Sequence, residues 1–383
     1  MQPQTSPTSD QVNRFVAFDI SKLSLVVAAV DAKQQVVLQP KKISVEKFTS
    51  WASQNLKATD QVVLEVTGNA WQYYDQLVPL VHSVVVANPS KVKLIAQTKV
   101  KTDATDALAL AHLLAADLVP AVWVPPPDVR ELRALVSHRI RLVRQRTQAR
   151  NRLHALLATH HLLPPAGDPF SEKNRSWWEQ LKVTPLTKLL ITQEWLVLQS
   201  LKPLIEQAEK ELVQLSIAPK WARQTTFLIQ VPGIGVITAM VILSAIGEIT
   251  RFSTAKELVG YSGLGAGVYA SGQVMRSGAI TKQGRRELRT AMVEAAPIGY
   301  PIAVEQAGYW KEQFERLAVR LGKNKAIVAI ARRMLVVVWN LLSKQVADNQ
   351  ADEARVARKL VCTVLRLHHW VYLRLYQVSI RNR

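Results

Sequence analysis

"RFVAFDISKLSLVVAAVD", residues 14–31, decides the fold class of this chain. Two apolar runs, residues 15–20 and 25–30, flank a tight polar break, which is the pattern of short strands. Asp19 sits inside the first run between Phe18 and Ile20. A charge there costs free energy unless it is paired or bound to a metal. Beyond it, "QQVVLQPKKIS" (34–44) is a third strand, "SVEKFTSWASQNLK" (44–57) has helical spacing, and "QVVLEV" (61–66) is a strand ending in Glu65. "NAWQYYDQLVPLV" (69–81) reads as a helix and "SVVVAN" (83–88) as a strand. Three early strands followed by alternating strands and helices predict a mixed sheet with helices on its faces, an α/β domain over residues 13–120.

A helix opening near "KTDATDALALAHLL" (101–114) completes that domain. Asp103 and Asp106 stand three apart and share one face of it. Acidic residues favour the first turn of a helix, and Thr102 is a credible N-cap, so capping alone accounts for the pair. Set beside Asp19 and Glu65, the same pair admits a second reading. Four carboxylates brought to one sheet edge repel one another but suit two Mg²⁺ ions roughly 3.5–4 Å apart, a clamp for the attacking and leaving oxygens of a phosphodiester. Solvated strand ends are the plainer account of Asp19 and Glu65 taken singly.

The 383 residues exceed what one core usually fills, so several domains are expected. Lys and Arg total 49 against 29 acidic residues, a net charge of +20, and the pI is near 10.1. Such a balance points to a polyanionic partner. Cys362 is the single cysteine, which excludes an intramolecular disulfide and a cysteine zinc site and fits a reducing cytoplasm. The polar start, residues 1–12, reads as a disordered lead-in. The longest apolar run, 227–249, approaches membrane-spanning length but is broken by Gln230, Pro232, Gly233 and Gly235. Two short buried helices joined by a turn fit it better, which leaves nucleic acid ahead of a membrane as the partner.

A basic helical and coiled-coil region is expected over 121–216. Arg130, Arg133, Arg141, Arg144 and Arg152 fall within about 100° of arc on one helix, a stripe suited to gripping phosphates without reading sequence. A solvated charged face is the plain alternative. Ile191, Leu198, Ile205 and Leu212 repeat every seven residues, with Glu194, Leu201, Ala208 and Leu215 as the companion row. That seam packs either antiparallel on the arginine helix or between protomers, and Pro203 is expected to kink it or start a new helix. "VPGIG" (231–235) has the form of a helix-hairpin-helix turn, in which Gly233 and Gly235 let backbone N–H groups approach a phosphate. Residues 258–296 then form a glycine-rich, hairpin-like segment before a helix bearing Arg285, Arg286 and Arg289. Ser271 stands at its centre, facing Arg276 and Lys282 in sequence. A serine in a glycine turn is ordinarily a turn former, and no nearby histidine is present to activate it.

Taken in order, "FVAFDISK", "LEVTGN", "KTDATDALALA", "VPGIG" and "SGQVMRSGAITKQGRRELRTAMVEAA" resemble the DEDD-type transposases of the insertion-sequence one-ten (IS one-ten) family, the bridge-RNA-guided serine recombinases. The resemblance covers about residues 14–296 and fades after Pro297. It departs from the family at Ala266, in the area where a proline commonly precedes the serine.

The resemblance implies a RuvC-like, RNase H-type domain whose Asp19, Glu65, Asp103 and Asp106 bind Mg²⁺, with two ions expected. It also implies a mainly helical transposase domain, residues 217–300, in which Ser271 forms a covalent phosphoserine intermediate, followed by a helical extension, 301–383. Donor and target DNA, an element-encoded noncoding RNA and a homo-dimer or tetramer are the implied partners, with no membrane and a cytoplasmic location. A hydrolytic RuvC-like endonuclease and a non-catalytic nucleic-acid-binding protein are the two alternatives.

Overall fold

A computed structural model of the chain describes residues 12–95, 102–271, 274–302 and 309–346, together with 354, 356–362 and 365. The expected lead-in therefore lies almost wholly outside the described residues. The chain divides into two compact units, Met1–Pro125 and Pro126–Arg383.

In the first unit β1 (Arg14–Ile20), β2 (Ser24–Val30), β3 (Val36–Ser44), β4 (Asp60–Glu65) and β5 (Ser83–Ala87) form one sheet of order β3-β2-β1-β4-β5. β1 pairs antiparallel with β2 and parallel with β4, and β4 pairs parallel with β5, so the sheet is mixed as expected. The alternation along β1 sorts the two faces. Val16, Phe18 and Ile20 join Val62 and Leu64 under Phe48 and Ala52 of α1 (Phe48–Asn55) and Tyr73 and Leu77 of α2 (Ala70–Leu77). Ala17 joins Val30, Val63 and Ala87 on the opposite face, under Leu110, Ala111 and Leu114 of α4 (Asp103–Ala115). A short α3 (Pro89–Ile95) precedes α4.

One buried charge in this unit went unread in the sequence. Asp60 is fully buried at the start of β4, and Arg14 donates to both its oxygens at 3.0 and 2.5 Å while the Lys57 amide adds a third bond at 2.8 Å. That pairing is what makes a buried carboxylate tolerable.

The second unit begins with α5 (Pro127–Thr159), followed by a short α6 (Arg175–Glu179) and then α7 (Pro185–Ser216). Arg139 reaches Glu209 and Arg152 reaches Glu194, so residue numbers rise on one helix as they fall on the other. α5 and α7 are antiparallel. Leu142 packs on Leu201, Ile205 and Ala208, and Leu153 and Leu157 pack with Ile191, so the heptad row is buried within one chain. Pro203 does not start a new helix, one of its two expected effects: α7 runs through it from Pro185 to Ser216.

Beyond the hairpin come α8 (Ala222–Gln230), α9 (Val236–Ile246), α10 (Ala255–Ser262), β6 (Ala266–Ser271), β7 (Val274–Ile280), α11 (Arg286–Ile302), α12 (Tyr309–Leu321) and α13 (Lys323–Lys344). The apolar run of the sequence is α8, a turn and α9, as read. α13 is long and apolar enough to cross a membrane. Its residues Ala326, Ile330, Ala331, Met334, Leu335, Val338, Leu341 and Leu342 are buried, at the three- and four-residue spacing of a helix with one face in a core.

Candidate functional site

Sheet register places the carboxylates. Phe18 lies beside Leu64 in the parallel β1–β4 pair, so Asp19 and Glu65 come one step later, at the same end of two neighbouring strands. Period-two alternation turns both toward the face of Ala17 and Val63, which α4 covers. The direction of α4 follows from its packing. Ala107 sits on Val26 and Ala28, which pair with Asp19 and Ala17, whereas Leu110, Ala111 and Leu114 pack on Ala17, Val30 and Val63 further down the sheet. The helix therefore starts over the Asp19 end, with Asp103 one turn before Ala107 and Asp106 one turn before Leu110.

Register and helix direction thus put all four carboxylates toward one end of the sheet. Asp103 is exposed, and Asp19, Glu65 and Asp106 are half-buried. Thr102 caps α4, its hydroxyl accepting from the Thr105 amide at 3.2 Å while the Thr105 hydroxyl engages the Thr102 amide at 3.0 Å. The acidic first turn is therefore also favoured by the helix dipole. Among the described residues no three His, Cys, Asp or Glu side chains gather closely enough to hold a metal ion. In donor chemistry alone, four carboxylates supply the hard oxygens that Mg²⁺ takes.

Ser271 ends β6 at the tip of the β6–β7 hairpin, paired with Val274, while Tyr269 pairs with Arg276. Directly opposed residues share a face, so Ser271, Val274, Tyr269 and Arg276 lie on one side of the ribbon and Ala270 and Met275 on the other. Ser271 is exposed, as are Tyr269 (65%) and Met275 (77%). Arg276 is the cation that the fold brings near the serine. Lys282 is not: it lies at the base of the hairpin, where its amide donates to the Gly263 carbonyl at 3.1 Å. Gly272 falls outside the described residues.

The hairpin base is tied to the helical body at several points, none of which the sequence announced. The Thr281 amide donates to Gly265 O at 2.9 Å and the Arg285 amide to Tyr261 O at 2.8 Å. Arg289 Nη1 donates to Ser262 O at 2.8 Å. Gly284, at φ +123°, lies so close to Tyr261 that a Cβ would come within 2.1 Å of its carbonyl oxygen.

The arginine stripe of α5 divides into two kinds. Arg133 Nε donates to Ser244 O at 2.8 Å and Nη2 to Ala245 O at 3.1 Å, the carbonyl end of α9. Burial, then the positive charges of Arg285 and Arg251, push its guanidinium down to about 10, still charged at neutral pH. Its expected place in an open phosphate-binding stripe is corrected: it caps a helix C-terminus. Arg152 is held in a two-pronged pair with Glu194 at 2.6 and 2.8 Å, and Arg130 is half-buried. Arg141 and Arg144 are exposed. In the α8–α9 turn Gly233 has φ +84° and needs to be glycine, while Gly235 is the exposed N-cap of α9. Lys359 Nζ closes the other side of this turn on Ile229 O and Ile234 O, at 2.5 and 2.8 Å.

Two family models match, in chain order. One described as "Transposase", for the DEDD domain of IS110, covers residues 16–162. The second, "Transposase IS116/IS110/IS902 family", covers residues 225–306, and together they span more than half of the chain. The transposase for insertion sequence element IS1111A of Coxiella burnetii is 25% identical over 293 residues, 74% of this chain and 78% of its own length. The pilin gene-inverting protein of Moraxella bovis is 25% identical over 296 residues, 74% of this chain and 80% of its own. A putative transposase of Sinorhizobium fredii is 25% identical over 289 residues, 74% of this chain and 66% of its own.

Proposed function

Because the chain belongs to the IS116/IS110/IS902 family of transposases, we propose that it cuts and rejoins DNA through Ser271, guided by an element-encoded noncoding RNA. The observation that supports this reading is that Asp19, Glu65, Asp103 and Asp106 all lie toward one end of the sheet. The sheet order β3-β2-β1-β4-β5, with β2 alone antiparallel to the other four strands, supports a RuvC-like, RNase H-type fold for residues 13–120.

The four carboxylates would hold Mg²⁺, which when bound supplies charge neutralisation at the phosphate and lowers the pKa of a coordinated hydroxyl. Ser271 Oγ gives up its proton and attacks phosphorus, a new P–O bond to serine forms, one P–O bond to deoxyribose breaks, and the leaving oxygen takes up a proton, so that none is gained or lost overall. A deoxyribose hydroxyl of the partner strand then attacks the phosphoserine, and serine leaves. The phosphodiester is exchanged without hydrolysis. An exposed serine at the tip of a two-stranded ribbon suits such a nucleophile, because backbone pairing fixes the strand while leaving Oγ open to a bulky phosphate. Arg276, on the same face, is placed to offset the negative charge that builds on the phosphate oxygens.

Strand cutting of labelled DNA with Mg²⁺ and the flanking RNA, compared among wild type, Ser271→Ala and Asp106→Asn, tests the reading. Both variants are predicted to lose cutting by at least 10²-fold. Persistent cutting by Ser271→Ala would instead identify water as the nucleophile and the chain as a hydrolytic endonuclease. Unchanged activity in Asp106→Asn would remove the carboxylates from the chemistry.

A further inference from the structure

Three sequence features read separately come together in one cleft of the second unit. Its volume is about 440 Å³, and it lies where α5, the first turn of α9 and α11 meet. Arg144 comes from the arginine stripe, Ile237 and Thr238 from the turn that follows Gly235, and Arg286 from the arginine pair at the head of α11. Ile140, Val143, Val241 and Ala291 make an apolar floor, and Thr147 and Thr290 add exposed hydroxyls at the rim.

Charge makes the cleft specific. Arg139 also lines it but is already held by Glu209. Arg144 and Arg286 are exposed, and neither forms an ion pair among the described residues. Glu287 and Glu294 occupy the α11 side. Two guanidinium groups on separate helices, lining an apolar-floored cleft with threonine hydroxyls at its rim, match the alternating charged and apolar surface of a nucleic-acid backbone.

We infer that this cleft seats the phosphates of one DNA strand, with Arg144 and Arg286 gripping them from either side. The inference rests on the DNA-recombinase reading and adds where the strand lies. α11 follows directly from the hairpin that carries Ser271, so the same short segment would deliver both the nucleophile and a phosphate grip. Glu287 and Glu294 repel phosphate on their side and set its path toward the two arginines.

The test measures binding of the full-length chain to a short labelled DNA duplex across a salt series, with an RNA duplex of the same length in parallel. Arg144→Gln/Arg286→Gln is expected to weaken DNA binding about tenfold and to reduce the log–log salt slope by about 1.8, two phosphate contacts' worth. Glu294→Gln is expected to tighten binding. Arg320→Gln/Lys325→Gln, exposed cations on α12 and α13, should leave the slope at the wild-type value. A wild-type slope in Arg144→Gln/Arg286→Gln overturns the assignment, and so does a loss confined to RNA. Failure of the serine chemistry would show separately, as wild-type protein that binds DNA with the full slope yet never cuts it.

Discussion

Gly284 shows how one residue controls the presentation of the serine hairpin. Its φ of +123° is unfavourable for any side chain, and a Cβ would meet the Tyr261 carbonyl at 2.1 Å. Gly284→Ala is predicted to cost about 2 kcal/mol or more, read as a lower unfolding midpoint in denaturant. An unchanged midpoint would mean that the hairpin base shifts freely and does not fix Ser271. Arg133 makes the converse point about charge. Its guanidinium gives two bonds to the C-terminal carbonyls of α9, a role for which the planar fork is needed. Arg133→Lys is therefore predicted to be destabilising although it keeps the charge, with direct loss of thermal stability as the readout. The sequence offered Arg133 only as a member of a stripe, since periodicity gives the angle of a residue on its helix but not what packs over that angle.

At the scale of elements, the α5–α7 hairpin is held by its apolar seam more than by its ion pairs. Leu153 is fully buried, and Leu153→Ala should cost about 2–5 kcal/mol. Arg152, more than half exposed in its pair with Glu194, should cost under about 1 kcal/mol when replaced by alanine. Pro203 lies exposed in the interior of a continuous helix, where it removes one backbone bond, so Pro203→Ala is predicted to stabilise by about 1–3 kcal/mol in equilibrium unfolding. The heptad row was legible because it recurs at four successive positions seven residues apart. The fate of Pro203 was not, because packing along the whole of α5 outweighs one local penalty. Likewise the strands around Asp19 and Glu65 were legible from apolar runs, whereas the Arg14–Asp60 pair was not, since it joins residues 46 positions apart.

Across the whole molecule, charge and composition pointed to a polyanion before any contact was known, and the fold divides the labour. The first unit gathers four carboxylates at one end of a mixed sheet, through strand register and the direction of α4. The second carries an exposed serine on a ribbon anchored to a helical body, together with the exposed arginines. That Asp19 and Glu65 share a sheet end could be anticipated from their anomalous positions in apolar strands, and the parallel β1–β4 register supplies the reason. The placing of Arg276 beside the serine, and of Lys282 at the hairpin base, depends on hairpin register that glycine-rich sequence leaves open. The most direct test of the central claim is to incubate the chain with Mg²⁺, its flanking noncoding RNA and labelled target DNA, separate the products under denaturing conditions, and digest any protein–DNA species for mass analysis. A covalent adduct on the peptide containing Ser271 is predicted, absent in Ser271→Ala and in Asp106→Ala. Cut DNA with no adduct, produced equally by Ser271→Ala, would contradict it.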